Sequence, residues 1–352
     1  MQSVKDTISL FVDNEGPSTL NDNAQENMVK LAIQCKLGEE VGVKCYKNFS
    51  NIDDIWGDFH RVPKDSTYSS GHTLKVVLPF YKAMGATSQW LYNFAKESLR
   101  VVPNIGSVFR DLNLNYNVWM ISTSYEFFIR AFCDFVGFDF ARACCTFVKG
   151  FDGIPISEEE IASLLAFMQE VAQMPIIEYD GKTGEVIKKH QIYYDRITDF
   201  VWKTVYRMDV GEFLREVHPV GQTQKREAME QICQELGIPK DRAMYVGDSQ
   251  TDVQCVEWLR GEGLTMMFNG KGRVCHISDI MYIGENARAI EEVANRFAQL
   301  GRRGVIDYYT PPRGAEYGGL LTAVTPENSR ELEEQSVKKR KEFRGVHIGE
   351  LT

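Results

Sequence analysis

Three short apolar runs, each followed at once by a polar or acidic residue, constrain the fold of this chain more than any other feature. They are residues 8–12 before Asp13, residues 118–121 before Ser122, and residues 243–246 before Gly247 and Asp248. Continuous apolar runs of this length are typical of strands buried on both faces of a parallel sheet. The sequence therefore predicts three buried strands with polar groups at their carboxyl ends.

Helical patterns lie between the predicted strands. Residues 125–136 place aromatic side chains on one face, and residues 224–236 end at Gly237, a typical C-terminal cap. Alternating strands and helices predict an α/β protein with a Rossmann-like parallel sheet flanked by helices. Because ligands of such sheets bind beyond the carboxyl ends of the strands, the polar strand ends should meet in one place.

The remaining segments predict insertions and an extension. Residues 21–99 contain no convincing strand and have aromatic residues at helical spacing, which predicts an inserted, mostly helical cap domain. We expect a core domain of residues 1–20 and 100–300. It carries a second insertion at about 151–217, with a helix over 157–173 and a hairpin-like stretch of 176–179 and 185–189. After about Gly301 the sequence predicts loop and then a charged helix over 327–344, within a C-terminal extension of residues 301–352.

Charge and cysteine content exclude several classes of protein. The chain has 352 residues and a net charge of −9, which disfavours binding to nucleic acid. Its eight cysteines include no C-x-x-C pair and lie in apolar surroundings, which indicates reduced thiols and a cytoplasmic location. No run approaches the roughly 18 apolar residues of a membrane span, and the N-terminal apolar stretch is too short for a signal peptide. We expect neither a membrane nor a nucleic-acid partner, and the oligomeric state stays open.

Each polar strand end has an ordinary structural explanation when taken alone. Asp13 and Glu15 fit an acidic loop, Ser122 fits a helix N-cap, and Lys225 fits a solvated lysine in a first helical turn. The run from Gly247 to Asp252 is more specific, because it places two carboxylates four residues apart at a strand-to-helix turn. The order of acid pair, hydroxyl, lysine and G-D-x-x-x-D is more informative than any of its members.

This order resembles the four sequence motifs of the haloacid dehalogenase-like (HAD) superfamily, and within it the phosphoserine phosphatase-like branch. The resemblance covers roughly residues 5–20, 100–150 and 218–295, including Pro103-Asn104-Ile105 and the run from Met267 to Lys271. It implies a phosphoryl-transfer site. It also implies that Asp13 is the nucleophile, with Ser122 and Lys225 contacting the phosphoryl group.

The same resemblance implies a magnesium cofactor and a small phosphorylated metabolite as substrate. Mg²⁺ would be held by Asp13, Asp248 and the main-chain carbonyl of Glu15, and Asp252 would orient Lys225 or a water on the metal. Hard oxygen ligands of this kind suit Mg²⁺. The site prediction therefore consists of Asp13, Glu15, Ser122 and Lys225 as catalytic residues, with Asp13, Glu15, Asp248 and Asp252 at the metal.

The first motif departs from the family pattern D-x-D-x-[TV], because this chain has Asp13-Asn14-Glu15-Gly16-Pro17. The general acid and base is then Glu15, whose side chain is one methylene longer than aspartate. Pro17 has no amide hydrogen to donate to a phosphate. The second motif, Ser122-Thr123-Ser124, likewise lacks the glycines of the phosphoserine branch.

The functional prediction is a magnesium-dependent HAD-like phosphatase that hydrolyses a small phosphomonoester through an aspartyl-phosphate. Two alternatives stay open: a phosphotransferase on the same fold, and a non-catalytic binding or regulatory protein on a HAD scaffold. The substrate is not readable from the sequence. Candidate substrate contacts in the cap are Trp56, His60, Arg61, Lys64 and His72. For each of them, a place on the protein surface is the more common alternative to a substrate contact. A Met-Thr-x-Arg-Ala-Met stretch, which accompanies phosphoserine specificity, is not found.

Overall fold

The structure is a computed structural model that describes residues 8–59 and 67–345. Within these ranges one eight-stranded sheet has the order β3-β2-β1-β4-β5-β6-β8-β7. Strands β1 to β6 are parallel, and β8 runs antiparallel to both β6 and β7. The strands are β1 Ser9–Val12, β2 Asn117–Tyr125, β3 Ala143–Thr146, β4 Ala243–Gly247, β5 Leu264–Phe268, β6 Ile280–Ile283, β7 Arg313–Gly314 and β8 Leu320–Ala323.

The α-helices of the described ranges fall into three groups along the chain. Those between β1 and β2 are α1 Asn23–Gln34, α2 Glu39–Asp58, α3 Thr73–Ala83, α4 Ser88–Ser98 and α5 Ile105–Asn115. Those between β2 and β4 are α6 Glu126–Val136, α7 Glu158–Ala172, α8 Gln191–Asp199, α9 Glu212–Glu216 and α10 Gln222–Leu236. Those after β4 are α11 Val253–Leu259, α12 Val274–Ile277, α13 Arg288–Tyr309 and α14 Ser329–Arg344. The predicted α/β class with a largely parallel sheet is confirmed.

The central strand β1 shows why these strands are apolar throughout. Its side chains alternate between two hydrophobic clusters, with Leu10 and Val12 in one and Phe11 in the other. Both faces of the sheet are covered, so neither face can carry polar side chains at low cost. In register, Val12 lies opposite Met120 of β2 and Val246 of β4. The residues that follow these three positions therefore emerge at one edge of the sheet.

The segment between β3 and α10 packs on the helices that follow β1. One hydrophobic cluster joins α1, α2 and α3 with α7, α8 and α9. At its centre the rings of Trp56 and Trp202 lie 5.5 Å apart in an edge-to-face arrangement, and Lys44 donates a 2.9 Å hydrogen bond to the carbonyl of Ala172. Two stretches that are far apart in sequence thus build one helical body beside the sheet.

Two sequence expectations are wrong in detail. The hairpin-like stretch forms only one isolated bridge, between Tyr179 and Val186, and residues 188–190 form a 3-10 helix instead of a strand. Helix α13 continues past Gly301 to Tyr309, where the sequence predicts loop, and Gly301 adopts φ 65° at a kink between its two helical segments. Periodicity could not reveal this kink, since glycine is equally compatible with a loop or a left-handed junction.

The chain beyond α13 completes the sheet. Leu320–Ala323 forms β8 on the edge of β6, and the reversal that follows directs α14 back across the protein. No helix within residues 8–59 and 67–345 is long and apolar enough to cross a membrane.

Candidate active site

The predicted site residues lie together at the carboxyl ends of β1, β2 and β4. The residues Asp13, Ser122, Lys225, Asp248 and Asp252 are all buried, none more than 4% exposed. Asp13, Glu15, Ser122 and Asp248 line one cavity of about 110 Å³, and Lys225 and Asp252 lie directly beneath Asp13. The parallel register described above is what brings these groups together.

Lys225 is the charge centre of the site. It is the fourth residue of α10, and its ammonium contacts Asp13 Oδ2 at 2.6 Å, Asp252 Oδ1 at 2.8 Å and Thr251 Oγ1 at 3.2 Å. Burial alone would lower the pKa of Lys225, but the charges of Asp13 and Asp252 raise it above its ordinary value. Lys225 therefore stays positively charged.

Asp252 is held by hydrogen bonds on both carboxylate oxygens. Besides Lys225, Oδ1 accepts from the hydroxyl of Tyr245 at 2.6 Å, and Oδ2 accepts from the amides of Asp248 at 2.8 Å and Ser249 at 3.0 Å. Burial would raise the pKa of Asp252, yet Lys225 and these donors lower it overall. The second acid of the G-D-x-x-x-D turn is thus an ionised group that fixes Lys225 and the turn.

Asp13 and Asp248 offer the carboxylate oxygens that are best placed for a cation. Ligand atoms of Asp13, Asp248 and Asp252 all lie within 4.8 Å of one another. Asp252 already accepts four hydrogen bonds, whereas Oδ1 of Asp13 accepts one, from the amide of Asn14, and Asp248 meets its arginine partners through Oδ2. Asp13 and Asp248 are therefore the members of this group that better fit a hard divalent cation such as Mg²⁺. Burial raises the pKa of Asp13 to about 7, partly offset by Lys225. A divalent cation would favour its ionised form.

Gly16 explains the unusual loop after β1. It adopts φ +111°, and a Cβ atom there would lie 2.1 Å from Oδ2 of Asp248. Only glycine leaves room for the carboxylate of Asp248 beside this backbone. The loop then folds back on itself, with the amides of Ser18 and Thr19 both donating to the carbonyl of Asn14.

Glu15 reaches from the end of β1 to the first helix of the helical body. Its Oε1 accepts a 3.0 Å hydrogen bond from the backbone amide of Asn23, the first residue of α1. Burial, together with the charge of Asp22, raises the pKa of Glu15 to about 8. A carboxyl with such a pKa holds its proton at neutral pH, as a general acid must.

Ser122 lies inside β2, where the pairing with β3 shifts register between Ile121 and Tyr125. Its Oγ accepts from the amide of Ser124 at 3.2 Å, which leaves the hydroxyl hydrogen to donate. The N-cap of the next helix is Tyr125, without a side-chain cap. The helix-capping explanation of Ser122 is therefore wrong.

Sequence reasoning missed two arginines of α14. Arg340 and Arg344 are each 5% exposed in their side chains and contact Oδ2 of Asp248, Arg344 at 3.2 Å. The available signal was the four-residue spacing of Leu332, Ser336, Arg340 and Arg344, all of them buried. The charge pattern of this segment predicts only a helical extension, because arginine rarely lies on a buried helix face.

The cap residues considered as substrate contacts have other surroundings. Trp56 is fully buried in the hydrophobic cluster of the helical body, and His72 is buried with Nε2 at 3.2 Å from Oε1 of Gln224. Neither side chain lines the cavity at Asp13. His60, Arg61 and Lys64 lie outside the described residues.

Comparison with known proteins finds similarity at the level of structure. No protein-family model and no curated protein matches the sequence. The gene product AF1437 of Archaeoglobus fulgidus matches with a TM-score of 0.78 and 25% identity, over 98% of this chain and 99% of that one. Phosphoserine phosphatase in its apo form matches with a TM-score of 0.45 and 14% identity, over 81% of this chain and 98% of that one.

A HAD family hydrolase from Salmonella enterica serovar Typhi also matches. Its TM-score is 0.42 and its identity 10%, over 76% of this chain and 63% of that one.

Proposed function

We propose that the protein is a magnesium-dependent phosphatase that hydrolyses a small phosphomonoester through an aspartyl-phosphate on Asp13. The observation that carries the proposal is the buried Asp13, Lys225 and Asp252 ion-pair chain, with Asp248 beside it, at the carboxyl ends of parallel strands. Phosphoryl transfer requires a positioned nucleophile and fixed positive charge near the phosphoryl oxygens. This group of residues supplies both.

In this mechanism Oδ1 of Asp13, which accepts a 2.7 Å hydrogen bond from the backbone amide of Asn14, attacks phosphorus while Lys225 fixes Oδ2. Ser122 donates its hydroxyl hydrogen to a phosphoryl oxygen. Mg²⁺ held by Asp13 and Asp248, with the carbonyl of Glu15, would neutralise phosphoryl charge.

Glu15 is the group that transfers the proton in both half-reactions. It gives its proton to the leaving alcohol, and its carboxylate then takes a proton from the water that attacks the aspartyl-phosphate. Hydrolysis of that intermediate returns Asp13 and releases inorganic phosphate, so the proton balance closes over one cycle. The raised pKa of Glu15, about 8, supports its starting in the protonated form.

The test is turnover of an aryl phosphate and of a panel of phosphorylated metabolites, with and without Mg²⁺. Asp13→Asn keeps the shape of the side chain but removes the nucleophile, so we expect turnover to fall by about three orders of magnitude or more. Circular dichroism checks that the variant is folded. Asp241→Asn is the matched control, since Asp241 is exposed and precedes β4 at the opposite end of the strand.

Two results would overturn the proposal. One is a wild-type protein that hydrolyses no phosphomonoester in the panel with Mg²⁺ present. The other is an Asp13→Asn variant with near-normal turnover.

A further inference from the structure

Helix α14 is fixed against the core so that its last two turns reach the cavity at Asp13. The hydroxyl of Ser336 donates a 2.6 Å hydrogen bond to the carbonyl of Gly270. One and two turns further on, Arg340 and Arg344 line the same cavity as Asp13 and Ser122. The helix therefore brings two guanidinium groups to the proposed phosphoryl site.

These two arginines share one carboxylate. Both contact Oδ2 of Asp248, and Arg344 also donates to the backbone carbonyls of Leu20, at 3.3 Å, and Asn21. Backbone carbonyls satisfy hydrogen bonds but bring no full negative charge. The carboxyl groups of Glu15 and Asp22 also attract Arg344, but each accepts a hydrogen bond from a backbone amide of α1. Two buried guanidinium groups that share one directly contacting carboxylate leave room for a further anion, because an uncompensated buried charge is costly.

Three residues that line the cavity also have a buried polar atom without a hydrogen-bond partner. Within the described residues, three buried atoms of cavity-lining side chains have no hydrogen-bond partner: Nε of Arg340, Nδ2 of Asn23 and Oγ1 of Thr123. Arg340 Nε and Asn23 Nδ2 can only donate, and the threonine hydroxyl can donate as well. Since buried polar groups are normally satisfied, these atoms indicate a ligand that presents acceptor oxygens.

Carboxyl groups on α2 line the cavity too, but their contacts do not suit a cation. Both oxygens of Asp53 are taken, by the hydroxyl of Tyr68 at 2.5 Å and the amide of Gly71 at 2.7 Å. Burial raises the pKa of Asp53 to about 7 and that of Asp54 to about 8. Near neutral pH these groups are largely or partly protonated, so they repel an anion much less than two carboxylates would.

We propose that Arg340 and Arg344, with the side-chain amide of Asn23, form an anion subsite. This subsite selects phosphomonoesters that carry a second acidic oxygen group. That group is a carboxylate or a second phosphate, and the volume of about 110 Å³ limits the substrate to a small molecule. This inference rests on the proposed phosphatase activity, and it gives α14 a role in substrate selection.

The test uses substrates that share a two-carbon skeleton. Phosphoglycolate carries a carboxylate, ethanediol bisphosphate carries a second phosphate, and 2-hydroxyethyl phosphate carries neither. We expect the wild type to prefer one of the acidic substrates over the neutral one by at least about tenfold in kcat/KM. A preference for phosphoglycolate would show that the subsite binds a carboxylate, and a preference for ethanediol bisphosphate would show that it binds a second phosphate.

Arginine variants then assign the preference to α14. A charge-assisted hydrogen bond is worth about 10 to 100-fold in binding. Arg340→Gln and Arg344→Gln should therefore raise the ratio of KM for the preferred acidic substrate to KM for 2-hydroxyethyl phosphate by that factor. Arg330→Gln is the matched control on the same helix, since its side chain is 88% exposed. Should a glutamine variant fail to fold, Arg340→Lys and Arg344→Lys keep the charge and should show a smaller loss in the same direction.

Direct binding separates the two proposals. Calorimetry with Asp13→Asn protein measures the affinity for phosphoglycolate, ethanediol bisphosphate and 2-hydroxyethyl phosphate without turnover, alone and combined with Arg340→Gln. Hydrolysis without an acidic preference, or equal losses on acidic and neutral substrates, overturns the subsite and leaves the phosphatase standing. Tight, Arg340-dependent binding of an acidic compound that the wild type does not hydrolyse supports the subsite and contradicts the phosphatase. Equal affinity for all three compounds overturns the subsite.

Discussion

Two walls of one cavity differ in how their polar groups are satisfied. The strand-end wall consists of Asp13, Ser122, Asp248 and the Lys225 and Asp252 pair beneath them, and the helical wall consists of Asn23, Asp53, Asp54, Arg340 and Arg344. On the strand-end wall, Lys225 has two carboxylate partners and Asp252 accepts four hydrogen bonds. On the helical wall, Asn23 and Arg340 keep donors without a partner.

This difference separates positioning from recognition. Polar groups that find their hydrogen-bond partners within the protein hold a fixed geometry. Such a fixed geometry is needed to stabilise the charge of a reacting phosphoryl group. Donors that lack a partner are costly until a ligand supplies an acceptor, so they select for that ligand. Variants of Glu15, Asp252, Gly16 and Asp54 test this division.

Glu15 connects the two walls, and its loss should have the largest effect among these variants. We expect Glu15→Gln to slow turnover by about 10² to 10⁴, because general acid and base catalysis is typically worth that much. The loss should be greatest for alkyl phosphates, whose leaving oxygen needs a proton, and smaller for aryl phosphates. Steady-state rates on both classes check this, with mass spectrometry of phosphorylated Asp13. An equal rate for variant and wild type on both classes would remove Glu15 from the mechanism.

Asp252 tests whether the ion pairs and hydrogen bonds of the strand-end wall stabilise the fold. Asp252→Asn leaves Lys225, which is fully buried, with one carboxylate instead of two. We expect the free energy of unfolding to fall by about 3 to 5 kcal/mol, as when one partner of a buried ion pair is removed. Urea denaturation measures it, with Asp307→Asn as the control. The Arg303 and Asp307 pair is exposed, so the control should change by less than about 0.5 kcal/mol. Equal effects would contradict the comparison.

Gly16 tests the fit between the loop after β1 and Asp248. Gly16→Ala combines an unfavourable φ of +111° with a Cβ atom 2.1 Å from the carboxylate of Asp248. We expect a loss of about 2 kcal/mol in stability and a weaker Mg²⁺ affinity by calorimetry. Gly137→Ala is the matched control, since φ is +70° there but nothing lies within 4 Å of the added carbon. A control variant that loses Mg²⁺ affinity as strongly would refute the steric explanation.

Asp54 tests the helical wall through pH. Burial raises the pKa of Asp54 from 3.8 to about 8. Between these values the folded protein keeps a proton that the unfolded chain has released, so stability falls as pH rises through this window. Asp54→Asn should reduce this fall in the free energy of unfolding by at most about 1.4 kcal/mol per pH unit. Urea denaturation at about pH 5.5 and about pH 8 measures it, with the exposed Asp199→Asn as control. Parallel pH dependences of Asp54→Asn and wild type would show that Asp54 is not a buried titrating group.

The sequence alone determined the strand-end wall. Each apolar run, the polar residue after it and the helix that follows are encoded within about a dozen neighbouring residues, which is the range over which periodicity is informative. The rule that parallel strands end at one edge then places Asp13, Ser122 and Asp248 together without any knowledge of side-chain contacts. The contact between Lys225 and Asp13 spans 212 positions, and it was the resemblance to the four family motifs that led us to expect it.

Only the tertiary structure decided the helical wall. Arg340 and Asp248 are 92 positions apart in the chain, and they meet because β8 adds an antiparallel strand to the sheet and so sets the direction of α14. The packing of residues 151–217 on α1, α2 and α3 is equally non-local, with Trp56 against Trp202. Such contacts depend on how elements pack in three dimensions. A buried arginine and a solvated one have the same local sequence pattern, so only the fold distinguishes them.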